Sequence, residues 1–362
     1  MTADLVTIDL EPHMFGPTET VLVRHRGLTA SVFRYRSGVA GLRLANEAGH
    51  IAMLPFQGQQ IWDAVFFGRR LTMSTPLEEP LPTEDFLRTY GGFLLHCGAT
   101  AMGDPGPADR HPVHGELPNA RYQRAQLLIG SDERGPFMSL TGSYRHLVAF
   151  GVHYTAQPTV RLREAGGRIE IEMHVRNVGH MPMDFMYLAH VNFRPTGGAQ
   201  LIDTIPSDPQ HLRLLSLRLE PPAGYDRMID ALKRDIALHR RIEPDVVIVS
   251  ELVLSCMPLA DETGWAHAMQ VLPDGSADFL SYRPDELDHC LRWTTRTGDM
   301  QALGMMLPAT AEADGLVAER AKGHVRTLQP QQEFRCQVEC GALESREATA
   351  LQERIDHALR SR

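Results

Sequence analysis

The sequence has few cysteines, and their positions exclude a small domain that depends on disulfides. The 362-residue chain contains five, at widely scattered positions: Cys97, Cys256, Cys290, Cys336 and Cys340. An odd, scattered set is unlike a disulfide framework. Cys336 and Cys340 would lie about 13 Å apart along an extended strand, beyond the reach of one disulfide. We therefore expect reduced thiols, most of them in the core.

Long hydrophobic runs and an excess of positive charge are also missing. No stretch approaches the roughly 18 consecutive apolar residues of a membrane-spanning helix. Residues 1–12 lack the basic start and apolar run of a secretory signal. With 36 basic and 45 acidic residues, the formal net charge is -9, which disfavours binding to a polyphosphate backbone. These absences predict a cytoplasmic protein that binds neither a membrane nor nucleic acid.

Two classes of catalytic motif are absent. The chain has no Gly-rich phosphate loop and no nucleophile elbow with a Ser-His-Asp arrangement, which argues against a nucleotide-dependent enzyme and against an α/β-hydrolase. No low-complexity linker or fixed-period repeat divides the sequence. Because a large β-sandwich can use such a length for one core, we expect a single domain over residues 1–362.

What the sequence does contain is period-two alternation. Apolar and polar residues alternate in Arg168–Val175 and in Phe334–Cys340, as a strand with one solvated face requires. Leu212–Leu219 indicates a further strand. Turn residues at 165–167 and 273–276 separate β-prone stretches and predict hairpins. The pattern predicts an all-β body.

Only two segments have helical periodicity. Tyr225–Ile242 places its apolar residues on one stripe, and Ser345 can cap a C-terminal helix over residues 345–361. We expect both helices to be peripheral additions to the β body.

Histidines and other polar side chains are concentrated in three separated segments. These are residues 95–98 with His96, residues 110–116 with His111, His114 and Glu116, and residues 187–193 with His190 and Asn192. Imidazole exchanges protons readily near neutral pH, because its unperturbed pKa is about 6.5. Any single one of the 17 histidines is more often a surface or core residue, so the clustering carries the argument. Strand alternation puts His190 and Asn192 on one face, and Met102–Pro118 is predicted to be a long functional loop.

Taken in order, these segments resemble a known family. The similarity is to an uncharacterised, aldose-1-epimerase-like branch of the galactose mutarotase superfamily, over about residues 35 to 343. It rests on the segments Gly91–Gly98, His111–Gly115, Tyr187–Phe193 and Leu303–Gly315. The resemblance implies a galactose-mutarotase-like β-supersandwich with a few peripheral helices, whose concave face binds a small-molecule sugar.

The resemblance also implies roles for particular residues. In that family a histidine protonates the ring oxygen of the sugar while a glutamate takes the proton of the anomeric hydroxyl group. His190 is the expected general acid, with His114 and Glu116 as further catalytic candidates. The candidates for substrate binding are His96, His111, Gln57, Asn192, Trp293 and Arg292. Among these, Trp293 offers a stacking face for the apolar side of a sugar, and Arg292 could hold an acidic group.

Two positions depart from the family pattern. Leu307 precedes Pro308 where a glutamate is expected, so the catalytic base is missing from its usual position. Gln57 stands where an arginine is commoner. Glu116 and Glu312 are the nearest replacement carboxylates in the sequence.

Three functions remain open from the sequence. The first is a mutarotase with a relocated base and no cofactor. The second is a metal-dependent sugar or keto-sugar isomerase, in which His96, His114, Glu116 and His190 bind a divalent cation. The third is a non-catalytic sugar-binding protein. Assembly into a homodimer is also left open.

Overall fold

The structure, a computed structural model, describes residues 5–215, 225–241 and 248–361. These residues form three α-helices, which are α1 (Tyr225–Arg234), α2 (Leu316–Lys322) and α3 (Ser345–Arg360). The strands are β1 (Val6–Leu10), β2 (Thr20–His25), β3 (Leu28–Arg34), β4 (Ala40–Ala45), β5 (Gly49–Met53), β6 (Ile61–Phe66), β7 (Arg69–Arg70), β8 (Leu94–Ala99), β9 (Arg124–Asp132), β10 (Gly135–Leu147), β11 (His153–Arg163), β12 (Gly167–Asn177), β13 (Met183–Val191), β14 (Gln200–Asp203), β15 (Leu212–Leu214), β16 (Ile248–Cys256), β17 (Ala266–Val271), β18 (Ala277–Tyr282), β19 (His289–Arg296), β20 (Gln301–Ala309), β21 (Arg326–Leu328) and β22 (Glu333–Leu343).

The strands form two antiparallel sheets, which we call sheet A and sheet B. Sheet A has the strand order β1-β9-β10-β11-β12-β22-β18-β17-β14. Sheet B has the order β15-β16-β19-β20-β13-β8-β6-β5-β4-β3-β2, with β21 paired to β13 and β7 paired to β6. The expected all-β fold is confirmed.

The alternating segments form strands as expected. Arg168–Val175 lies within β12, and Phe334–Cys340 lies within β22, its direct neighbour in sheet A. The turns at 165–167 and 273–276 join β11 to β12 and β17 to β18. Of the strand expected over Leu212–Leu219, β15 covers the first three residues, and residues 216–219 lie outside the described part of the chain.

Sheet B carries an apolar layer on each of its faces, and β13 shows both. Its residues Tyr187 and Ala189 belong to the main core between the two sheets. Met186 and Leu188 point the other way, into a second cluster on the outer face of sheet B, because neighbouring strand residues face opposite sides. The outer cluster includes Phe86 and Tyr90 from the segment between β7 and β8. That segment therefore covers part of the outer face.

The helices lie at the periphery, as expected, but the residue that caps the start of α3 differs from the predicted one. Helix α3 starts at Ser345, but its N-cap is Glu344, whose side chain forms a reciprocal capping box with Glu347. The expected helix over Tyr225–Ile242 is shorter: α1 ends at Arg234, and a 3-10 helix follows over Ile236–Arg240. Among the described residues, no helix is long and apolar enough to cross a lipid bilayer.

Candidate functional site

A pocket on the outer face of sheet B brings together side chains from five separate segments. Its polar lining consists of Asp104, His114, His190, Glu251, Trp293 and Asp314. His190 comes from β13, Glu251 from β16 and Trp293 from β19, three strands of the same sheet. Asp104 and His114 come from the loop that was predicted to be functional. Distant parts of the sequence thus meet in one cavity.

The His114 loop is fixed by backbone hydrogen bonds. His114 has a left-handed conformation, with φ of 59°, and Gly115 follows with φ of 77°. The carbonyl of His114 accepts a hydrogen bond from the Gly98 N–H at 2.9 Å, and its own N–H donates to the carbonyl of Gly103 at 2.9 Å. A Cβ atom on Gly115 would lie 2.2 Å from the carbonyl oxygen of Ala101. This position therefore requires glycine, and the turn directs His114 into the pocket.

His190 lies at the centre of a ring of aromatic side chains. Its imidazole is 5.5 Å from that of His114 and 5.3 Å from the indole of Trp293, measured between ring centroids. The hydroxyl group of Tyr90 lies 3.5 Å from His190 Nε2 and donates a hydrogen bond to Asn192 Oδ1 at 3.0 Å. His190 Nδ1 is buried and has no hydrogen-bond partner in the part of the chain that is described. A ligand in the pocket can supply that partner.

Burial controls the charge of this histidine. His190 is 4% exposed. Burial, together with the nearby His114, lowers the pKa of His190 from 6.5 to about 3, and the polar side chain of Asn192 opposes this shift. His190 is therefore neutral at neutral pH in the unliganded protein.

A carboxylate lies beside the indole of Trp293. Trp293 Nε1 donates a hydrogen bond to Glu251 Oε2 at 2.6 Å. Leu307, which stands where the sequence resemblance led us to expect a glutamate, also lines this pocket. Strands β16, β19 and β20 are adjacent in sheet B, so Glu251 lies two strands away from Leu307. The pocket thus contains a glutamate carboxylate, although it comes from a different strand.

The structure separates His96 from this pocket, which corrects the expectation that His96 binds the substrate. His96 pairs with Ala189 across β8 and β13, so it faces the main core, and His190 faces the opposite side. His96 Nδ1 lies 2.7 Å from the hydroxyl oxygen of Tyr187. Burial lowers the pKa of His96 to about 3. Its place is in the core.

Glu116 and His111 also lie outside the pocket, where they hold the loop in place. Glu116 accepts hydrogen bonds from the N–H of Thr100 and from the hydroxyl group of Tyr154, both at 3.0 Å. His111 Nδ1 lies 2.8 Å from the carbonyl oxygen of Pro112, and its Nε2 accepts a hydrogen bond from the N–H of Leu316 at 3.3 Å. His111 therefore ties the loop to the start of α2.

Gln57 and Arg292 make contacts elsewhere. The amide of Gln57 donates to the carbonyl of Leu81 at 2.9 Å, and Gln57 lines a separate cavity. Arg292 is 1% exposed and forms a 2.7 Å ion pair with the buried Asp203. It follows that Arg292 faces the core and is not available to grip an acidic sugar. Asn192 is also buried, and it positions Tyr90.

The expected metal ligands are not assembled. Among the described residues, only Glu312, Glu319 and His324 form a group of three His, Cys, Asp or Glu side chains with ligand atoms within 4.8 Å of one another. The ammonium group of Lys322 lies between the two carboxylates, with Nζ 2.8 Å from an oxygen of each. The set His96, His114, Glu116 and His190 is separated because His96 and Glu116 lie outside the pocket. Glu312, a candidate replacement base, forms an ion pair with Lys322 and does not line the pocket.

Sequence reasoning missed Asp104, Glu251 and Asp314 among the residues that line the pocket, and it missed Tyr90, whose hydroxyl group lies next to His190. Glu251 interrupts the apolar alternation of β16, but nothing local shows that this strand borders the pocket. Tyr90 lies in a segment without secondary-structure periodicity. Asp104 is in the predicted functional loop, and its N–H donates to the carbonyl of Ala313 at 3.1 Å. A polar residue within an otherwise apolar strand was the available signal for Glu251.

Comparison with known proteins agrees with this architecture. Residues 36–197, less than half of the chain, match a domain family of unknown function, DUF4432. No curated protein has a matching sequence.

Several solved structures are similar over nearly the whole chain. A candidate aldose 1-epimerase from Klebsiella pneumoniae has a TM-score of 0.82 at 17% identity, covering 99% of this chain and 96% of that one. A galactose mutarotase-like protein from Clostridium acetobutylicum has a TM-score of 0.58 at 13% identity, covering 88% and 98%. Galactose 1-epimerase from Lactobacillus acidophilus has a TM-score of 0.51 at 12% identity, covering 94% and 99%. The chain therefore has the galactose mutarotase-like fold, as its histidine-bearing segments imply.

Proposed function

We propose that this protein is a carbohydrate-active enzyme of the aldose 1-epimerase kind, which interconverts the anomers of a sugar by opening and closing its ring. One observation carries the proposal. His190, with a buried nitrogen that lacks a partner within the described chain, shares a pocket with the carboxylate of Glu251, and Trp293 contacts both side chains. A proton donor and a proton acceptor on one small pocket are what ring opening requires.

The reaction moves two protons. The anomeric hydroxyl group gives its proton to the carboxylate of Glu251, and the ring oxygen takes a proton from the imidazolium form of His190. The bond between the anomeric carbon and the ring oxygen breaks, and a carbonyl group forms. After rotation about the next carbon–carbon bond, both proton transfers run in reverse and the ring closes with the other configuration. Each residue is restored at the end of the cycle.

Trp293 has two roles in this scheme. Its Nε1–H holds one oxygen of Glu251 at 2.6 Å, which fixes the direction of the carboxylate. Its ring, beside the apolar Leu291 and Leu307, offers an apolar wall to the carbon–hydrogen face of a sugar. Trp293 is therefore a positioning residue for Glu251 as well as a binding surface.

The charge of His190 sets a condition on the mechanism. Since its pKa is lowered to about 3, only a small fraction carries the proton that the ring oxygen needs at neutral pH. Acid–base help of about 10² to 10⁴ suffices for an intrinsically easy reaction such as ring opening. The scheme thus predicts faster anomer exchange toward acidic pH.

Saturation-transfer NMR on a panel of aldoses and uronic acids tests the proposal, because it measures the exchange between anomers directly. We expect His190→Ala and Glu251→Gln each to lower the enzymatic exchange rate about 10²-fold or more, with the fold retained. The surface pair His357 and Glu262, whose side chains are 2.9 Å apart and exposed, provides matched controls. His357→Gln and Glu262→Gln should exchange at the wild-type rate.

Two results would contradict the assignment. An unchanged rate in either pocket variant removes that residue from the mechanism. Sugar binding without faster exchange in the wild-type protein would identify a non-catalytic sugar-binding protein, for which a neutral His190 serves as a hydrogen-bond partner.

A further inference from the structure

A second cleft lies on the far side of the molecule, between the outer face of sheet A and helix α3. The strands β17 and β18 form its floor, and α3 packs over them through Leu351 and Ile355. Along β18, Leu280 and Tyr282 point into the main core, so Ser281 points outward. Ser281 and His267 both line this cleft.

Three side chains in this cleft form a continuous hydrogen-bonded chain. His267 and Ser281 are direct cross-strand partners, and His267 Nδ1 lies 2.7 Å from Ser281 Oγ. The other ring nitrogen, His267 Nε2, lies 3.0 Å from Asp261 Oδ2. Asp261 is held by its own contacts, among them the N–H of Thr263 at 2.9 Å and the N–H of Trp265 at 3.1 Å. The carboxylate is therefore fixed against the imidazole.

The carboxylate determines where the imidazole carries its proton. An ionised carboxylate only accepts hydrogen bonds, and the pKa of Asp261 stays low because hydrogen bonds from His267, Thr263 and Arg354 outweigh the effect of burial. Hence Nε2 of His267 carries the hydrogen, and Nδ1 is bare. Nδ1 then accepts the hydroxyl proton of Ser281, which is the relation between a base and its nucleophile.

The base is neutral and therefore able to accept a proton. Burial lowers the pKa of His267, although the hydrogen bond to Asp261 opposes the shift. The carboxylate beside the serine is paired. Glu339, the cross-strand partner of Ser281, binds the guanidinium groups of Arg134 at 3.2 Å and Arg168 at 2.6 Å. These ion pairs offset the negative charge of Glu339 next to the nucleophile.

We propose that Ser281 is an activated nucleophile, with His267 as its base and Asp261 as the residue that orients the base, and that this cleft transfers the acyl group of a small ester to water. Ser281 is 4% exposed and His267 is 2% exposed, so only a small acyl group reaches the hydroxyl. The arrangement was not visible in the sequence because the serine lies within a strand and no nucleophile elbow marks it. The proposal is independent of the sugar site.

The chemistry balances with water as the second substrate. Ser281 Oγ bonds to the carbonyl carbon of the ester while its proton passes to His267 Nδ1. The ester carbon–oxygen bond breaks, and the leaving alkoxide takes that proton from His267. A water molecule then attacks the acyl carbon and gives its proton to His267 Nδ1. The bond between the acyl carbon and Ser281 Oγ breaks, Oγ takes the proton back from His267, and the acid product leaves.

Covalent trapping tests this in the unmodified protein. Methanesulfonyl fluoride, a compact reagent, transfers its sulfonyl group to an activated serine as fluoride leaves, and peptide mass spectrometry locates the product. Ser276 is an internal control in the same hairpin, because its hydroxyl group donates a hydrogen bond to the carboxylate of Asp274 at 2.7 Å and not to an imidazole. We expect Ser281 to react about 10²-fold faster than Ser276, although Ser281 is the more buried serine. Equal or slower modification of Ser281 overturns the proposal.

Variants then assign the roles. Ser281→Ala should abolish both the labelling at this site and the release of p-nitrophenolate from p-nitrophenyl acetate, while anomer exchange persists. His267→Gln should lower the labelling rate of Ser281 about 10²-fold. In Asp261→Asn the amide N–H group can donate to Nε2, which moves the imidazole proton to Nδ1 and removes the base. Undiminished labelling of Ser281 in folded His267→Gln protein overturns the proposal. If the variants do not fold, the ratio of Ser281 to Ser276 labelling in the wild-type protein decides the question.

Discussion

Acidification should destabilise this protein in a way that can be assigned to single buried imidazoles, and His96 is the best case. Its side chain is fully buried in the core, and Tyr187 is its hydrogen-bond partner. Burial lowers the pKa of His96 from 6.5 to about 3. Between these values the unfolded chain binds a proton that the folded protein does not. Stability is therefore complete above about pH 6.5 and is lost as the pH falls toward 3.

The size of the effect follows from the shift. A pH of 5 is about 1.5 units below the pKa of the imidazole in the unfolded chain, and each unit corresponds to about 1.4 kcal/mol of free energy. His96 alone should thus lower the free energy of unfolding by about 2 kcal/mol between pH 7 and pH 5. His190, whose pKa is lowered by a similar amount, should contribute about as much.

Urea unfolding at pH 7 and pH 5 measures this contribution when wild-type protein is compared with His96→Gln. Glutamine is chosen because it does not titrate and can still form a hydrogen bond with Tyr187. The variant should lose about 2 kcal/mol less than the wild type on acidification, whatever its stability at pH 7. His357→Gln, at an exposed position, should lose as much as the wild type. If His96→Gln and wild type show the same pH-dependent loss, the burial argument for His96 is wrong.

Two further predictions concern the pocket and the strand beneath it. Because the pKa of His190 is lowered to about 3, the protonated fraction of this residue falls about tenfold per pH unit from pH 5 to 8. We therefore expect kcat/KM for anomer exchange, corrected for the spontaneous rate, to fall by the same factor over this range. A flat profile would instead make His190 the base. Asp203→Leu leaves the buried Arg292 without its ion-pair partner, also removes the partner of the more exposed Arg240, and should lower the free energy of unfolding by about 3 to 5 kcal/mol in chemical denaturation. Much of this loss should be recovered in Asp203→Leu combined with Arg292→Met, and an unrecovered loss would show that the buried charge of Arg292 is not its cause.

The sequence was sufficient to identify a few of the strands but not their order. Alternation in Arg168–Val175 and in Phe334–Cys340 marks two strands with one solvated face each, and both are present as β12 and β22. Their pairing is a long-range property, because more than 150 residues separate them and no local signal sets the partner. The start of helix α3 shows that the sequence also does not predict the exact residue at which an element begins. Glu344 caps it, although Ser345 is the residue type preferred at that position.

Trp293 was predicted from its residue type alone, whereas the two histidines of the candidate site were predicted where a backbone signal accompanied the side chain. His114 precedes a glycine that its turn requires, and His190 lies in a strand whose alternation is clear. His96 was misplaced because its two neighbours along β8, Leu95 and Cys97, are apolar as well, so both faces of that strand appear buried. Glu251 was missed because its role depends on the neighbouring strand that carries Trp293, and strand adjacency is not written in the local sequence.

The alternation of β19 has a consequence for how mutational data on this protein should be interpreted. Arg292 and Trp293 are consecutive residues, and they are anchored on opposite sides of the sheet, one by Asp203 and the other by Glu251. Replacing Arg292 would leave Asp203 without its buried ion-pair partner, and the repacking of β19 that follows would shift the indole that borders the cavity. A saturation mutagenesis screen scored on activity would therefore rank position 292 with the ligand-contacting residues, although its side chain is sealed in the interior.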